Sequence, residues 1–284
     1  MKTPQVITTV SALRMEVAKW RCDGLDAGLV PTMGALHAGH LSLVAEAKQY
    51  AARSIVSIFV NPTQFAPHED FDRYPRDLAR DLVRLGEQGL TDIVFAPVGN
   101  ELYPDGFATK IEMAGPARGL EADFRPHFFA GVATVVAKLL LAANPQVAVF
   151  GQKDYQQLLV IRRLVRDLAL DIDIVGAPVM READGLAMSS RNAYLDPRAR
   201  EIASQLNHVL ADVAARVRNG TAIEQAEEHG AGALLAAGFD SVDYIALRDA
   251  NTLAKLDAPV SEMRVLAAAT IGKTRLIDNM AVNP

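Results

Sequence analysis

The stretch "GLVPTMGALHAGHLSLV" (residues 28–44) indicates the fold, because an apolar run passes through a short loop into a helical pattern. The run is typical of a strand, and residues 38–52 are predicted to form a helix. His37 and His40 are three positions apart, so on that helix they share one face. A strand-to-helix junction also presents free N–H groups and the positive end of the helix dipole, which together suit a phosphate.

Three interpretations of the histidine pair compete: cover for a helix start, a metal site, or a nucleotide-phosphate site. The metal interpretation lacks the H-E-x-x-H arrangement and an evident third ligand. Gly34 and Gly39 leave room for a ligand beside the backbone, and imidazoles can donate to phosphate oxygens and take on charge when a phosphate arrives. The coincidence of strand, glycines and helix start therefore favours phosphate binding.

Two familiar nucleotide motifs are missing from the sequence. The "GKT" of residues 272–274 resembles the end of a P-loop, but Ala267 stands where that motif requires glycine. No G-x-G-x-x-G is present either, so a dinucleotide fingerprint is excluded. A nucleotide site in this chain must be of another kind.

Alternation of short apolar runs with helical patterns continues to about residue 180 and predicts an α/β fold. Such alternation is typical of βαβ units that form a mostly parallel sheet wrapped by helices. The predicted strands are 54–60, 92–97, 146–151 and 171–179, and the predicted helices are 77–89, 128–143 and 154–168.

Residues 181–200 are polar and turn-rich, and this change in composition predicts a second and smaller domain. Its patterns indicate an α+β architecture. We place the domains at residues 1–183 and 184–284. The predicted helices of the second domain are 197–218 and 223–236, and its predicted strands are 241–249 and 263–271.

Bulk composition restricts the classes of partner and compartment. The formal charge of −5 and the scattered basic residues argue against a nucleic-acid partner. Cys22 is the single cysteine and the opening residues show no secretory signal, so we expect a reducing, cytoplasmic location. The apolar run 128–143 is short of a bilayer span and contains Lys138, so we expect a buried helix and no membrane partner.

Polar side chains follow two of the predicted strands, where ligands gather in parallel sheets. Asn61 and Gln64 follow the strand at 54–60, and neutral amides can hold hydroxyl and carboxylate oxygens. Lys153 and Asp154 follow the strand at 146–151, where the lysine could meet a phosphate and the aspartate could cap a helix. Ordinary turn and capping chemistry would explain each segment equally well on its own.

Two further sets of polar residues have both a functional and an ordinary interpretation. In "MSSRN" (188–192), two hydroxyls precede Arg191, whose forked donors suit phosphate oxygens, although a solvated loop would tolerate the same residues. Asp77 and Asp81 could hold Mg²⁺ through water or form a solvated helix face. We favour the solvated face for Asp77 and leave Asp81 open.

Taken together, these segments resemble the pantothenate synthetase, or pantoate–β-alanine ligase, family almost from end to end. The resemblance implies a Rossmann-like domain, a smaller C-terminal lid domain and a homodimer. It also implies condensation of (R)-pantoate with β-alanine through a pantoyl-adenylate, with ATP and Mg²⁺ giving AMP and pyrophosphate. The segments that carry the resemblance are "PTMGALHAGH", "SIFVNPTQF", "YPRDLARDL", "FGQKDYQQL", "GLAMSSRNAYL" and "TRLIDN".

The resemblance also assigns roles to individual residues. It implies catalytic roles for His40 (the proton donor), His37, Lys153 and Arg191. Substrate binding would fall to Gln64, Gln157 and Asn61, with Gln64 also near β-alanine, and Asp81 would lie in the magnesium region. The implied ATP-binding residues are Met33, Gly34, Ala35, Leu36, His37, Ala38, Gly39, His40, Gly151, Gln152, Lys153, Asp154, Met180, Met188, Ser189, Ser190 and Arg191.

Two departures from the family pattern limit this transfer. Some relatives have G-E-K-D where this chain has Gln152, so a charge there is dispensable or the role is that of the backbone. Relatives often have R-P-x-H-F-x-G-V, whereas "RPHFFAGV" (125–132) places His127 one position early and Phe128 in the histidine's position. Arg125 can therefore still be assigned to the site, and His127 cannot.

Three other functions compete with the ligase. A simple adenylyl- or cytidylyltransferase could use the same histidine pair, but it would leave the nucleotide on its product. An aminoacyl-tRNA synthetase would need an RNA surface that this acidic chain lacks. A nucleotide-binding sensor without chemistry would produce no AMP, and fold alone does not exclude it.

Overall fold

The computed structural model describes residues 3–67 and 69–282, which contain a parallel sheet with helices and a smaller antiparallel sheet. The predicted α/β class with a smaller α+β unit is confirmed. The strands of the parallel sheet are β1 (Gln5–Ile7), β2 (Ala27–Thr32), β3 (Arg53–Ile58), β4 (Ile93–Phe95), β5 (Val147–Gly151) and β6 (Asp173–Ala177). The helices that connect them are α1 (Val10–Cys22), α2 (Ala38–Tyr50), α3 (Leu78–Gln88), α4 (Gly99–Leu102), α5 (Glu121–Phe124), α6 (Phe128–Ala143) and α7 (Tyr155–Asp167).

The strand order of the parallel sheet determines where a ligand can enter. The order is β1-β4-β3-β2-β5-β6, so the chain runs outward from β2 to β3 and later returns to the other side of β2 with β5. Between β2 and β5 the connections diverge, which opens a crevice at the carboxyl ends of the strands. The polar segments predicted after these strands therefore reach one edge of the sheet.

Helix α6 forms the centre of the first core. The predicted helix at 128–143 is confirmed at the same residues, and most of its side chains are buried against α1, α7 and the sheet. Leu140 is fully buried and packs in one cluster with Leu29 and Ile55 of the central strands. No helix within the described part of the chain is both long enough and apolar enough to cross a bilayer.

The second unit packs two helices on an antiparallel sheet. Its elements are α8 (Pro197–Arg218), α9 (Ile223–Ala237), β7 (Ser241–Asp249), β8 (Met263–Ile271) and β9 (Thr274–Val282). Leu206 and Leu210 of α8 are fully buried in a cluster with Val265 of β8. In the "GKT" segment, Gly272 (φ +57°) and Lys273 form the turn between β8 and β9 and Thr274 begins β9, so the segment is no P-loop. The domain boundary at 183/184 falls in the connection between β6 and α8 and stays a prediction.

Candidate active site

A cavity of about 530 Å³ opens at the carboxyl ends of β2, β3 and β5 and extends across to β9. It brings together segments that are far apart in the sequence. Residues predicted for the site that line this cavity are Met33, His37, Gly39, His40, Asn61, Gln64, Gly151, Lys153, Asp154, Gln157, Met180, Met188, Ser189, Ser190 and Arg191. Those predicted for ATP binding that do not line it are Gly34, Ala35, Leu36, Ala38 and Gln152.

The two histidines are fixed by the first turn of α2. The Nδ1 atom of His37 accepts a hydrogen bond from the Gly39 N–H (3.2 Å), and the Nδ1 atom of His40 accepts one from the His37 N–H (3.3 Å). The ring centroids are 4.1 Å apart. Because each Nδ1 is an acceptor, each neutral ring carries its proton on Nε2. A side chain at Gly39 would collide with the His37 ring, since a Cβ there would lie 2.9 Å from it.

Both imidazoles are neutral at physiological pH. Burial, followed by the Lys153 ammonium, lowers the pKa of His37 to about 4. Burial, His37 and Lys153 together lower the pKa of His40 to about 3. The pair therefore acts as two N–H donors beside a lysine cation, and an incoming anion would favour protonation of a ring.

Asp81 anchors the loop that precedes the histidines. Its Oδ2 accepts from the Ala35 N–H (3.0 Å) and its Oδ1 from the Leu36 N–H (2.8 Å), and the residue is 2% exposed. Gly34 has φ +81°, and a Cβ at that position would lie 2.9 Å from Asp81 Oδ2. The amides of Ala35 and Leu36 thus donate to this carboxylate, and both of its oxygens are occupied. We therefore do not propose Asp81 as a metal ligand.

An amide pair forms the other side of the cavity. Asn61 donates to Gln64 Oε1 (3.1 Å) and to the Gly131 carbonyl (3.2 Å), and its own Oδ1 accepts from the Tyr103 hydroxyl (2.8 Å). Because Asn61 is 1% exposed, its amide serves to orient Gln64 rather than to meet solvent. A Cβ at Gly131 would lie 2.3 Å from the Thr63 carbonyl oxygen, so α6 presses directly on this turn.

The 3₁₀ turn Gln152–Asp154 follows β5 and points Lys153 and Asp154 into the cavity. The Gln152 side chain instead donates to the Gly176 carbonyl (2.8 Å) and accepts from Arg264 (3.1 Å), so it contributes to the site only through its backbone. Asp154 precedes α7 without making a capping hydrogen bond, so its predicted capping role is wrong. Gln157 lies at the cavity wall, in the first turn of α7.

The segment Met188–Arg191 covers the histidine side of the cavity. Ser190 donates to the Ala35 carbonyl (3.2 Å), which ties the segment to the loop anchored by Asp81. Arg191 is held by Asp70 in a two-point ion pair, Nε–Oδ2 3.0 Å and Nη2–Oδ1 2.8 Å. The predicted phosphate-binding guanidinium therefore has a carboxylate partner in this structure.

A network of charged residues at the cavity, which extends from Arg275 to Asp243 (2.7 Å), was not predicted. Arg125 pairs with Glu69 (2.6 Å) and Glu121 (3.1 Å), and Arg275 of β9 pairs with the same Glu121 (2.8 Å). Burial opposes ionisation of Glu121, but the two guanidiniums hold its pKa below the usual value. His127 does not line the cavity; its Nε2 lies 3.7 Å from Glu69, as its shifted position in the sequence indicates. Only Arg125 and the "TRLIDN" motif signalled this network in the sequence.

Comparison with known proteins agrees with this geometry. The family model described as pantoate-beta-alanine ligase matches residues 5–281. The chain belongs to the pantoate-beta-alanine ligase family. A pantothenate synthetase of Mesorhizobium japonicum is 56% identical over 282 residues, which covers 99% of each chain.

Solved structures of the ligase family match over nearly the whole chain. A crystal structure of pantothenate synthetase from Thermus thermophilus superposes with a TM-score of 0.92 at 45% identity and covers 99% of this chain and 100% of its own. A Francisella tularensis pantoate-beta-alanine ligase, complexed with beta-gamma ATP and beta-alanine, gives 0.83 at 34% identity and covers 98% and 97%. The parallel sheet with its helices and the smaller antiparallel sheet therefore have the architecture of solved structures in this ligase family.

Proposed function

We propose that the chain is an AMP-forming ligase that condenses (R)-pantoate with β-alanine through a pantoyl-adenylate. The observation that carries the proposal is one cavity with N–H donors and a lysine at one wall and oriented amides at the other. Membership of the ligase family, and the relative complexed with ATP and β-alanine, support the same reaction.

The reaction has two steps because a carboxylate is a poor electrophile. In the first step, a pantoate carboxylate oxygen attacks the α-phosphorus of ATP, an O–P bond forms, and the bond to pyrophosphate breaks. In the second step, the neutral amine of β-alanine attacks the activated carbonyl, a C–N bond forms, the nitrogen gives up one proton to solvent, and AMP leaves with the former carboxylate oxygen. The first step brings anions together, so cations and N–H donors must stabilise its transition state.

The residues divide between these tasks according to their chemistry. His37, His40 and Lys153 would donate to the phosphate oxygens, where charge develops as pyrophosphate leaves. Gln64 and Gln157 would hold pantoate in line with the α-phosphorus without adding charge. Arg191 would join the phosphates once it exchanges the Asp70 carboxylate for a phosphate oxygen.

We place Mg²⁺ in this reaction as the ion that accompanies ATP. Within the described residues no cluster of three histidine, cysteine or acidic side chains could hold a metal by itself. Mg²⁺ commonly binds through substrate phosphates, waters and one or two carboxylates, and it supplies charge neutralisation there. Asp154, whose side chain makes no hydrogen bond or ion pair with the described residues, is the cavity carboxylate that could accept a water from its shell.

The proposal also covers the location of the enzyme and its oligomeric state. We place the enzyme in the cytoplasm, where ATP is available and the exposed thiol of Cys22 would stay reduced. We also propose a homodimer, as the family resemblance implies. Sedimentation at micromolar concentration distinguishes the dimer from a monomer.

The decisive experiment is an AMP-release assay with ATP, Mg²⁺ and pantoate, with and without β-alanine. AMP and pantothenate in equal amounts, only when both substrates are present, would establish the ligase. A product that retains the nucleotide would indicate a transferase, and absence of AMP under every condition would indicate a sensor. Lys153→Ala, prepared in the same way, excludes a contaminating ATPase.

A further inference from the structure

Asn279 of β9 touches the turn that carries Lys153, although it belongs to the other sheet. Its Nδ2 donates to the backbone carbonyls of Gln152 (2.9 Å) and Lys153 (2.8 Å). Its Oδ1 accepts from Arg264 Nε (2.6 Å). Asn279 is 2% exposed, and its bond to Arg264 is buried, whereas its two bonds to the turn are partly buried at the edge of the cavity.

These partners fix the orientation of the Asn279 amide. Backbone carbonyls can only accept and Arg264 Nε can only donate, so Nδ2 must face the turn and Oδ1 must face the guanidinium. Arg264 is itself held: it lies 3.7 Å above the Tyr155 ring centroid, and its Nη2 donates to Gln152 Oε1 (3.1 Å). The turn is therefore gripped through its backbone and through the side chain of Gln152.

Asp278, the residue before Asn279 on β9, is also held by hydrogen bonds. Asp278 accepts two hydrogen bonds from Arg181, at 2.6 and 3.0 Å, and Arg181 also donates to the Gly185 carbonyl (3.0 Å). Arg181 and Gly185 lie shortly before the covering segment Met188–Arg191. Two adjacent buried polar residues of β9 thus contact the lysine turn and the approach to the covering segment.

We propose that Asn279 is a positioning residue that fixes Lys153 for the phosphate chemistry, an inference that rests on the proposed function. Lys153 reaches the cavity from a one-turn 3₁₀ helix whose own side chains provide no cap hydrogen bond. Its backbone placement therefore depends on contacts from outside the turn. The amide of Asn279 supplies two of them and so links the small sheet to the reaction.

The test compares Asn279→Asp with Val282→Ala, and examines both for pyrophosphate release and ATP affinity. Asn279→Asp keeps the side-chain volume and the acceptor for Arg264, but sets a carboxylate oxygen against two carbonyls. A misplacement of about 1 Å at a reacting group can cost about 10²-fold in rate, so we expect a kcat loss of that order. The KM for β-alanine should not change, and the Kd for ATP should rise. Val282 is fully buried on the same strand and does not line the cavity, so its variant should lower only the melting temperature.

A double-mutant cycle separates positioning from general damage. In a Lys153→Ala background, Asn279→Asp should change the rate by less than about twofold, because the group it positions is gone. The proposal would be overturned if Asn279→Asp lowered the rate equally in the wild-type and Lys153→Ala backgrounds. It would also be overturned if the folded Asn279→Asp protein kept the kcat of the wild type. If Asn279→Asp does not fold, Asn279→Ala enters the same cycle.

Failure of the proposed function would be recognised separately. If the wild-type chain released no pyrophosphate, the ligase proposal would fail. The role of Asn279 would still be decided by comparing the ATP affinities of the Asn279→Asp and Val282→Ala proteins. An Asn279→Asp protein that bound ATP as tightly as Val282→Ala would then refute positioning of Lys153. A selective loss of ATP affinity would support it.

Discussion

Arg191 and Asp70 form a two-point ion pair at the mouth of the cavity, with N–O distances of 3.0 and 2.8 Å. A phosphate that binds the Nε–Nη2 edge of this guanidinium must displace the carboxylate. Partly exposed pairs contribute about 0.2–1 kcal/mol, so Asp70→Asn should tighten ATP binding by up to about fivefold. Calorimetric titration with ATP measures this change. Weaker binding would show instead that Asp70 orients Arg191 for the phosphate.

His40 should contribute mainly to the adenylation step. Removal of a positioned donor at developing charge commonly costs about 10²–10³ in rate, and we expect this loss for His40→Ala. Single-turnover formation of pantoyl-adenylate measures it, and an unchanged rate would reject the role. His229→Ala is the matched control, because this exposed histidine pairs with Asp212 and does not line the cavity.

The neutral histidine pair should make the stability depend on pH. An unfolded histidine takes up a proton near pH 6.5, whereas His37 and His40 resist it until about pH 4 and about pH 3. The unfolded state therefore binds more protons in this interval, and stability falls as the pH drops. Each ring contributes up to about 1.4 kcal/mol per pH unit. The measurement is the free energy of unfolding by denaturant at several pH values from 7 to 4. This free energy should fall less steeply with decreasing pH for His40→Gln than for the wild type, and equal pH dependence would contradict the expectation.

The loop anchor can be tested with two neighbouring aspartates. In the wild type, two backbone N–H groups donate to the Asp81 carboxylate. Asp81→Asn sets an amide NH₂ against one of these donors, so we expect the fold to lose about 1–3 kcal/mol of stability and the KM for ATP to rise. Asp77 caps the same helix by accepting from the Arg80 N–H, a role that asparagine fills equally well. Asp77→Asn should therefore be nearly silent in both measurements. Similar effects of the two substitutions would show that Asp81 has no special role in holding the loop.

Gln64 should act on pantoate and not on ATP. Gln64→Ala should raise the KM for pantoate and lower kcat, because the acid would lose its alignment with the α-phosphorus. Initial rates over a matrix of ATP and pantoate concentrations separate the two effects. A variant impaired only in ATP binding would contradict the assignment.

Much of this site could be predicted because parallel strands deliver their loops to one edge. The loops after β2, β3 and β5 bring His37, Gln64 and Lys153 into one cavity, and the apolar run 128–143 is a helix at those very residues. Periodicity and strand order were sufficient for these features.

Long-range partners of charged residues could not be predicted. Nothing in the sequence pairs Arg191 with Asp70, 121 positions away, or reveals that Asp81 would be buried under a loop. Strand β9 escaped prediction because Asp278 and Asn279 interrupt its apolar pattern, and their buried polarity is compensated by arginines that only the tertiary fold supplies.

Behind the proposed pantoate pocket, the direct contact of Gly131 with Thr63 leaves no room for a side chain at position 131. Any larger residue at position 131 would push the backbone beside Gln64, so variation there would change the catalyst before it changed the substrate. Met33 contacts the same amide, with its sulfur 3.1 Å from Gln64 Nε2, so a change at position 33 would also disturb Gln64. Residues that would select the acid and residues that would align it are thus packed against one another, so one set cannot be varied without the other.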